Sequence, residues 1–159
     1  MSATTALCEQ LARALLARNW RLAAAESCTG GMIAAACTDL SGSSQWFDRG
    51  FVTYSNEAKQ EMLGVDPALI ARHGAVSEVV ARAMAFGAVR HAHAQASVAV
   101  TGVAGPTGGS PEKPVGTVWF AFQVDGRLSS EMRRFEGDRA TVRSAAVEHA
   151  LRRLLALIA

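Results

Sequence analysis

Ser27, Tyr54 and Lys59 are three residues whose types could do chemistry together, if the loops that carry them meet. Ser27 lies in Ala25-Glu26-Ser27-Cys28-Thr29-Gly30-Gly31, between the apolar runs 22–25 and 32–37. Glycines let backbone N–H groups approach a ligand, and a helix start adds positive partial charge, so a serine there can serve as a nucleophile or as a phosphate ligand. A hydroxyl is a weak nucleophile until a base removes its proton. A lysine desolvated in a pocket gives up its own proton more readily and can be that base. Lys59 is one of two lysines, with Lys113, in a chain whose other basic positions are arginine. The four histidines, His73, His91, His93 and His149, carry no local signature of a Ser-His-Asp site, and Gly-x-Ser-x-Gly is missing.

Positioning these groups needs strands and helices in alternation. Residues 4–18 have leucines at helical spacing, with Thr4 or Thr5 as cap and Asn19 as stop. Residues 20–25 form a buried strand, and a slim Ala-rich helix begins at Thr29 or Gly30 and runs to about Asp39. Residues 51–54 have β-branched and aromatic content and form a second strand. Ser55 opens a helix that carries Lys59 and stops at Gly64; if so, Ser55 and Lys59 share a face. Helices over 67–73 and from Ser77-Glu78 to about His93 follow. Residues 97–100 are a short strand, 115–124 and 127–135 a hairpin turned by Asp125-Gly126, and Gly137-Asp138 starts the last helix. This order predicts an α/β protein, a three-layer α/β/α sandwich with a mixed sheet.

The segment Thr101-Gly102-Val103-Ala104-Gly105-Pro106-Thr107-Gly108-Gly109-Ser110 also follows a strand and is long for a mere connection. In open α/β sheets ligands sit beyond the carboxyl ends of strands, so a pocket of Ser27, Thr29, Tyr54, Lys59 and Thr101 is expected. The plainer readings stay open: Ser27 and Thr29 can cap a helix, Lys59 can be a solvated surface residue, Tyr54 a half-buried strand residue, and Cys28 a small core residue. Neither glycine loop fits a Walker A or dinucleotide fingerprint.

The length of 159 residues suits one domain, 1–159, and half the residues are apolar. The net charge is +2 and no basic stripe interleaves with aromatics, which gives nucleic acid no footprint. Three cysteines without metal spacing fit a reducing cytoplasm; no apolar run reaches the roughly 18 residues that span a bilayer, and no secretory signal is legible. No metal site or cofactor is expected, His91 and His93 pointing to different helix faces.

Five segments in one order, over roughly residues 7–155, resemble the CinA C-terminal domain family: the Ser27 segment, Tyr54-Ser55-Asn56-Glu57-Ala58-Lys59, Gly74-Ala75-Val76-Ser77, Thr101-Gly102-Val103-Ala104-Gly105-Pro106 and Pro114-Val115-Gly116-Thr117-Val118. The resemblance implies an amidase that hydrolyses the carboxamide of nicotinamide mononucleotide to nicotinate mononucleotide and ammonia, and a homodimer or higher homo-oligomer. It implies Ser27 as nucleophile, Lys59 as base, and Tyr54 and Thr101 as pocket residues. Thr29, Gly30, Gly31, Ser55, Gly102 and Gly105 complete the expected substrate contacts, with Arg139 or Arg143 on the phosphate. Gln95 and Thr107 depart from the Asp and the Asp or Asn common in that family. The alternative is a non-catalytic nucleotide-binding or regulatory module linked to competence and DNA damage.

Overall fold

The computed structural model describes residues 2–159. The chain runs α1 (Ala3–Ala17), β1 (Leu22–Glu26), α2 (Met32–Thr38), β2 (Phe47–Val52), α3 (Asn56–Leu63), α4 (Pro67–His73), α5 (Glu78–Arg90), β3 (Ala96–Gly102), β4 (Thr117–Val124), β5 (Arg127–Arg134) and α6 (Arg139–Ile158). The expected three-layer sandwich is present. One mixed sheet has the order β2-β1-β3-β4-β5, with β2, β1 and β3 parallel and β4 and β5 antiparallel.

Strand alternation sorts the core into two halves. Leu22, Ala24, Val98, Val100, Phe120 and Phe122 face α1, α2 and α6, where Leu11, Ile33 and Leu151 are fully buried. Ala23, Ala25, Ala99 and Ala121 face α3, α4 and α5. The alanines leave so little bulk that α5 lies close on the sheet, and α5 also packs against the end of α3. A Cβ on Gly87 of α5 would stand 2.1 Å from the carbonyl oxygen of Leu63.

The connections fix the site. The chain passes from β1 to β2 through α2 on one face of the sheet, and from β2 to β3 through α3, α4 and α5 on the other. Chains leaving β1 and β2 therefore depart to opposite faces, and a crevice opens at the carboxyl ends of the parallel strands, the usual ligand position in open α/β sheets.

The local signals explain most boundaries. Ser55, Asp66, Ser77 and Asp138 cap α3, α4, α5 and α6 with their side chains, and Gly64 closes α3 at φ 71°. Asp125 and Gly126 take φ 50° and 81°, the left-handed pair that a two-residue hairpin needs. Other boundaries differ from expectation. The cap of α1 is Ser2, whose Oγ accepts from Thr5 N–H, rather than Thr4 or Thr5. The helix after Ser77 stops at Arg90, short of His93. β2 begins at Phe47 and ends at Val52, so Tyr54 lies past its end; as an edge strand it carries exposed Arg49 and Gly50, which blur the apolar pattern. Gln95 serves the start of β1 by accepting from Arg21 N–H at 2.9 Å.

Candidate active site

Ser27 follows the last residue of β1. Its N–H donates to Val100 O of β3 at 3.0 Å and its carbonyl accepts from Gly30 N–H at 3.0 Å. That turn puts Oγ at the crevice. Across it, the cap by Ser55 starts α3 so that Lys59, one turn on, points inward. Lys59 Nζ lies 3.0 Å from Ser27 Oγ, 2.9 Å from Thr53 O and 3.1 Å from Tyr54 O. The lysine is 1 % exposed, so the surface-lysine reading is excluded.

Three acceptors match the three N–H bonds of an ammonium. They match the neutral amine as well. Two N–H bonds then serve the two carbonyls, and the lone pair is left for the Ser27 hydroxyl, which donates to it. Burial lowers the Lys59 pKa from the usual lysine value, against a smaller opposing effect of Cys28. Among the described residues no carboxylate lines the cavity to hold the charge on the amine. The neighbouring Cys28 thiol is pushed up to about 11, first by burial, and is therefore protonated at neutral pH.

The Ser27–Lys59 pair opens into a cavity of about 380 Å³, a size at which small-molecule sites occur. Tyr54, Thr101, Gly102, Gly105 and Arg139 join the pair in its wall. Thr101 is buried and its hydroxyl donates to Ala75 O at 2.9 Å, which holds the segment before α5 against the cavity. Arg139, the first residue of α6, donates to Gly105 O at 2.9 Å and to Tyr54 Oη at 3.3 Å.

Five expected contacts lie elsewhere. Thr29 is fully buried and its hydroxyl donates to Glu26 Oε1 at 2.7 Å. Gly30 and Gly31 shape the turn into α2, with φ 56° and 102°, and do not line the cavity. Ser55 is spent on the α3 cap and is exposed. Arg143 lies one turn beyond Arg139, which brings it under the nucleophile turn, where Nε donates to Cys28 O at 3.0 Å. The two arginines therefore do not point one way.

Glu26 carries no expected role in the sequence, yet it organises the turn. The carboxylate is 1 % exposed; Oε1 accepts from Thr29 Oγ1 and Ile33 N–H, and Oε2 from Ala34 N–H. It thereby caps α2, whose N-cap residue Gly31 has no side chain to do so. The signal available in the sequence is an acidic residue closing an otherwise apolar strand, an exception that demands partners. Among the described residues no three His, Cys, Asp or Glu side chains converge as metal ligands, and no helix is long and apolar enough to cross a membrane.

Known proteins share this sequence pattern and this fold. The model of the CinA C-terminal domain matches residues 4–158. A relative from Escherichia coli strain K12, named nicotinamide-nucleotide amidohydrolase PncC, is 54 % identical over 149 residues, which are 93 % of this chain and 90 % of that protein. A Pseudomonas putida protein of the same name is 50 % identical over 157 residues, covering 99 % and 98 %. The crystal structure of a competence/damage inducible protein from Agrobacterium tumefaciens superimposes with a TM-score of 0.95 at 43 % identity, over 99 % of this chain and 96 % of that one. By sequence and by fold, the chain belongs to the CinA C-terminal domain family.

Proposed function

We propose that this chain is a nicotinamide-nucleotide amidohydrolase that works with a Ser27–Lys59 pair. The observation that carries the reading is the 3.0 Å contact between a serine hydroxyl and a buried lysine amine without a carboxylate partner. The names of relatives at 50–54 % identity and near-full coverage support the reaction.

In this mechanism Ser27 Oγ gives its proton to Lys59 Nζ and attacks the carboxamide carbon. The developing oxyanion lies against backbone N–H groups. Gly30 N–H is already committed to Ser27 O, whereas Ala104 and Gly105 line the cavity and their N–H groups donate to no protein acceptor among the described residues. One such donor is worth about 3 kcal/mol of barrier. Lys59 then returns the proton to the departing nitrogen, which leaves as ammonia. A water molecule, deprotonated by the same amine, releases nicotinate mononucleotide from Ser27. Arg139 takes the phosphate, because among the described residues it is the one arginine in the cavity wall.

Residues 1–159 act as one domain in this reading, in a cytoplasmic homodimer or larger homo-oligomer, the latter measurable by light scattering. The test of the reaction is ammonia release from nicotinamide mononucleotide by the purified protein, with intact-mass analysis of a quenched reaction. An adduct of the nicotinate nucleotide on wild type and none on Ser27→Ala are expected. No ammonia from the wild type would leave the non-catalytic, nucleotide-binding reading standing.

A further inference from the structure

The reading of the site as a nucleotide amidase is the basis of a finer inference, drawn from the loop that carries the free N–H groups. Residues 104–109 make no backbone–backbone hydrogen bond among the described residues; the flanking bonds are Val103 N–H to Thr117 O and Ser110 N–H to Lys113 O. A single side-chain bond reaches this stretch, from Arg139 Nη1 to Gly105 O at 2.9 Å. The second hydrogen bond of that guanidinium goes to the hydroxyl of exposed Tyr54, at 3.3 Å. A guanidinium has five N–H bonds, so three stay free for an anion. The group that would hold the phosphate is therefore also the pin of the loop that would hold the oxyanion.

We propose that Arg139 is a positioning residue that converts phosphate binding into catalysis: an anion seated on its free N–H bonds fixes the guanidinium, and through Gly105 O fixes the Ala104 and Gly105 N–H groups against the reacting carbonyl. The substrate's phosphate then acts on turnover as well as on affinity. Binding energy from a remote part of the substrate is used to order the reacting centre. A substrate without the phosphate meets the same nucleophile and base, but the Arg139 tether to Gly105 O is then fixed by no anion.

The experiment divides the substrate into two pieces. Nicotinamide riboside is supplied as the carboxamide piece and inorganic phosphite as the anion, and ammonia release is followed for the wild type, Arg139→Lys and Arg139→Ala. The expected kcat for nicotinamide mononucleotide exceeds that for the riboside by about tenfold or more, the scale of one charge-assisted hydrogen bond. Phosphite should raise riboside turnover saturably in the wild type by a similar factor. Activation should vanish in Arg139→Ala, with the fall in nucleotide turnover appearing in kcat, and Arg139→Lys should restore part of it. Phosphite that inhibits or does nothing, riboside that is not turned over even with phosphite, or an Arg139→Ala variant that changes KM alone would overturn the coupling. Failure of the wild type to release ammonia from nicotinamide mononucleotide is a different result, and removes the underlying reading as well.

Discussion

Replacing Lys59 by methionine tests the base directly. The substitution keeps most of the side-chain length and removes its one basic atom. Among the described residues the Lys59 amine is the only side-chain group bonded to Ser27 Oγ, at 3.0 Å. A positioned general base contributes about 10²–10⁴-fold. Here the same amine acts twice, on the attacking hydroxyl and on the leaving nitrogen, so a kcat loss near about 10⁴-fold, or about 5 kcal/mol of barrier, is expected. Stability moves less. The carbonyls of Thr53 and Tyr54 lose a donor each, at about 1–3 kcal/mol for a buried group, and removal of a desolvated amine offsets part of that. A net loss of about 1–2 kcal/mol lowers Tm by only a few degrees in a chain of this size, so the variant folds. The assay is ammonia release over a pH series, beside thermal melts. Wild-type kcat/KM should climb as the free amine accumulates, with a midpoint below the ordinary lysine value of 10.5. Between that lowered pKa and 10.5 the unfolded chain binds more protons at this residue than the folded one, so wild-type stability gains a rising contribution with pH. Lys59→Met should lack both slopes. A folded variant within about tenfold of wild-type kcat, or one with an unchanged pH profile, refutes the assignment.

Four further outcomes follow from the same structure. Ser27→Ala should abolish ammonia release while calorimetry still detects nucleotide binding; sustained turnover removes the nucleophile. Cys28→Ala should retain most of the wild-type kcat at neutral pH, because a thiol held near 11 supplies no thiolate, and a loss above about tenfold would give that sulfur a role. Gly87→Ala should lower stability by about 1–3 kcal/mol and depress kcat, since its methyl meets Leu63 O at 2.1 Å and pushes on the helix that carries Lys59; an unchanged melt contradicts the close packing. Chelator should leave the wild-type rate unchanged, and a falling rate would point to a metal.

The sequence made the Lys59 helix legible because its signals are local: a serine that caps, a glycine that stops, and the arithmetic of one turn between them. The convergence of Ser27 and Lys59 was legible only through the rule that ligand loops gather at strand ends, together with the family resemblance. What the sequence concealed depends on tertiary direction. Thr29 has the same hydroxyl whether it faces a ligand or Glu26, and only the packing of α2 decides that it faces Glu26. Arg139 and Arg143 are equivalent in spacing, yet one turn of rise separates a cavity wall from the underside of the nucleophile turn. The start of β2 was hidden because an edge strand needs apolar residues on fewer sides.

The two carbonyls that steady the Lys59 amine belong to the peptide chain itself. In a catalytic triad a third side chain aims the base, and that residue can be lost or exchanged by a single codon change. Here the corresponding duty is written into the path of the chain at residues 53 and 54, so substitutions there preserve the aim as long as they preserve the bend. Tuning this base by evolution or by engineering therefore has to act on the curvature of the β2–α3 junction, through insertions, deletions or proline, rather than on any one partner group.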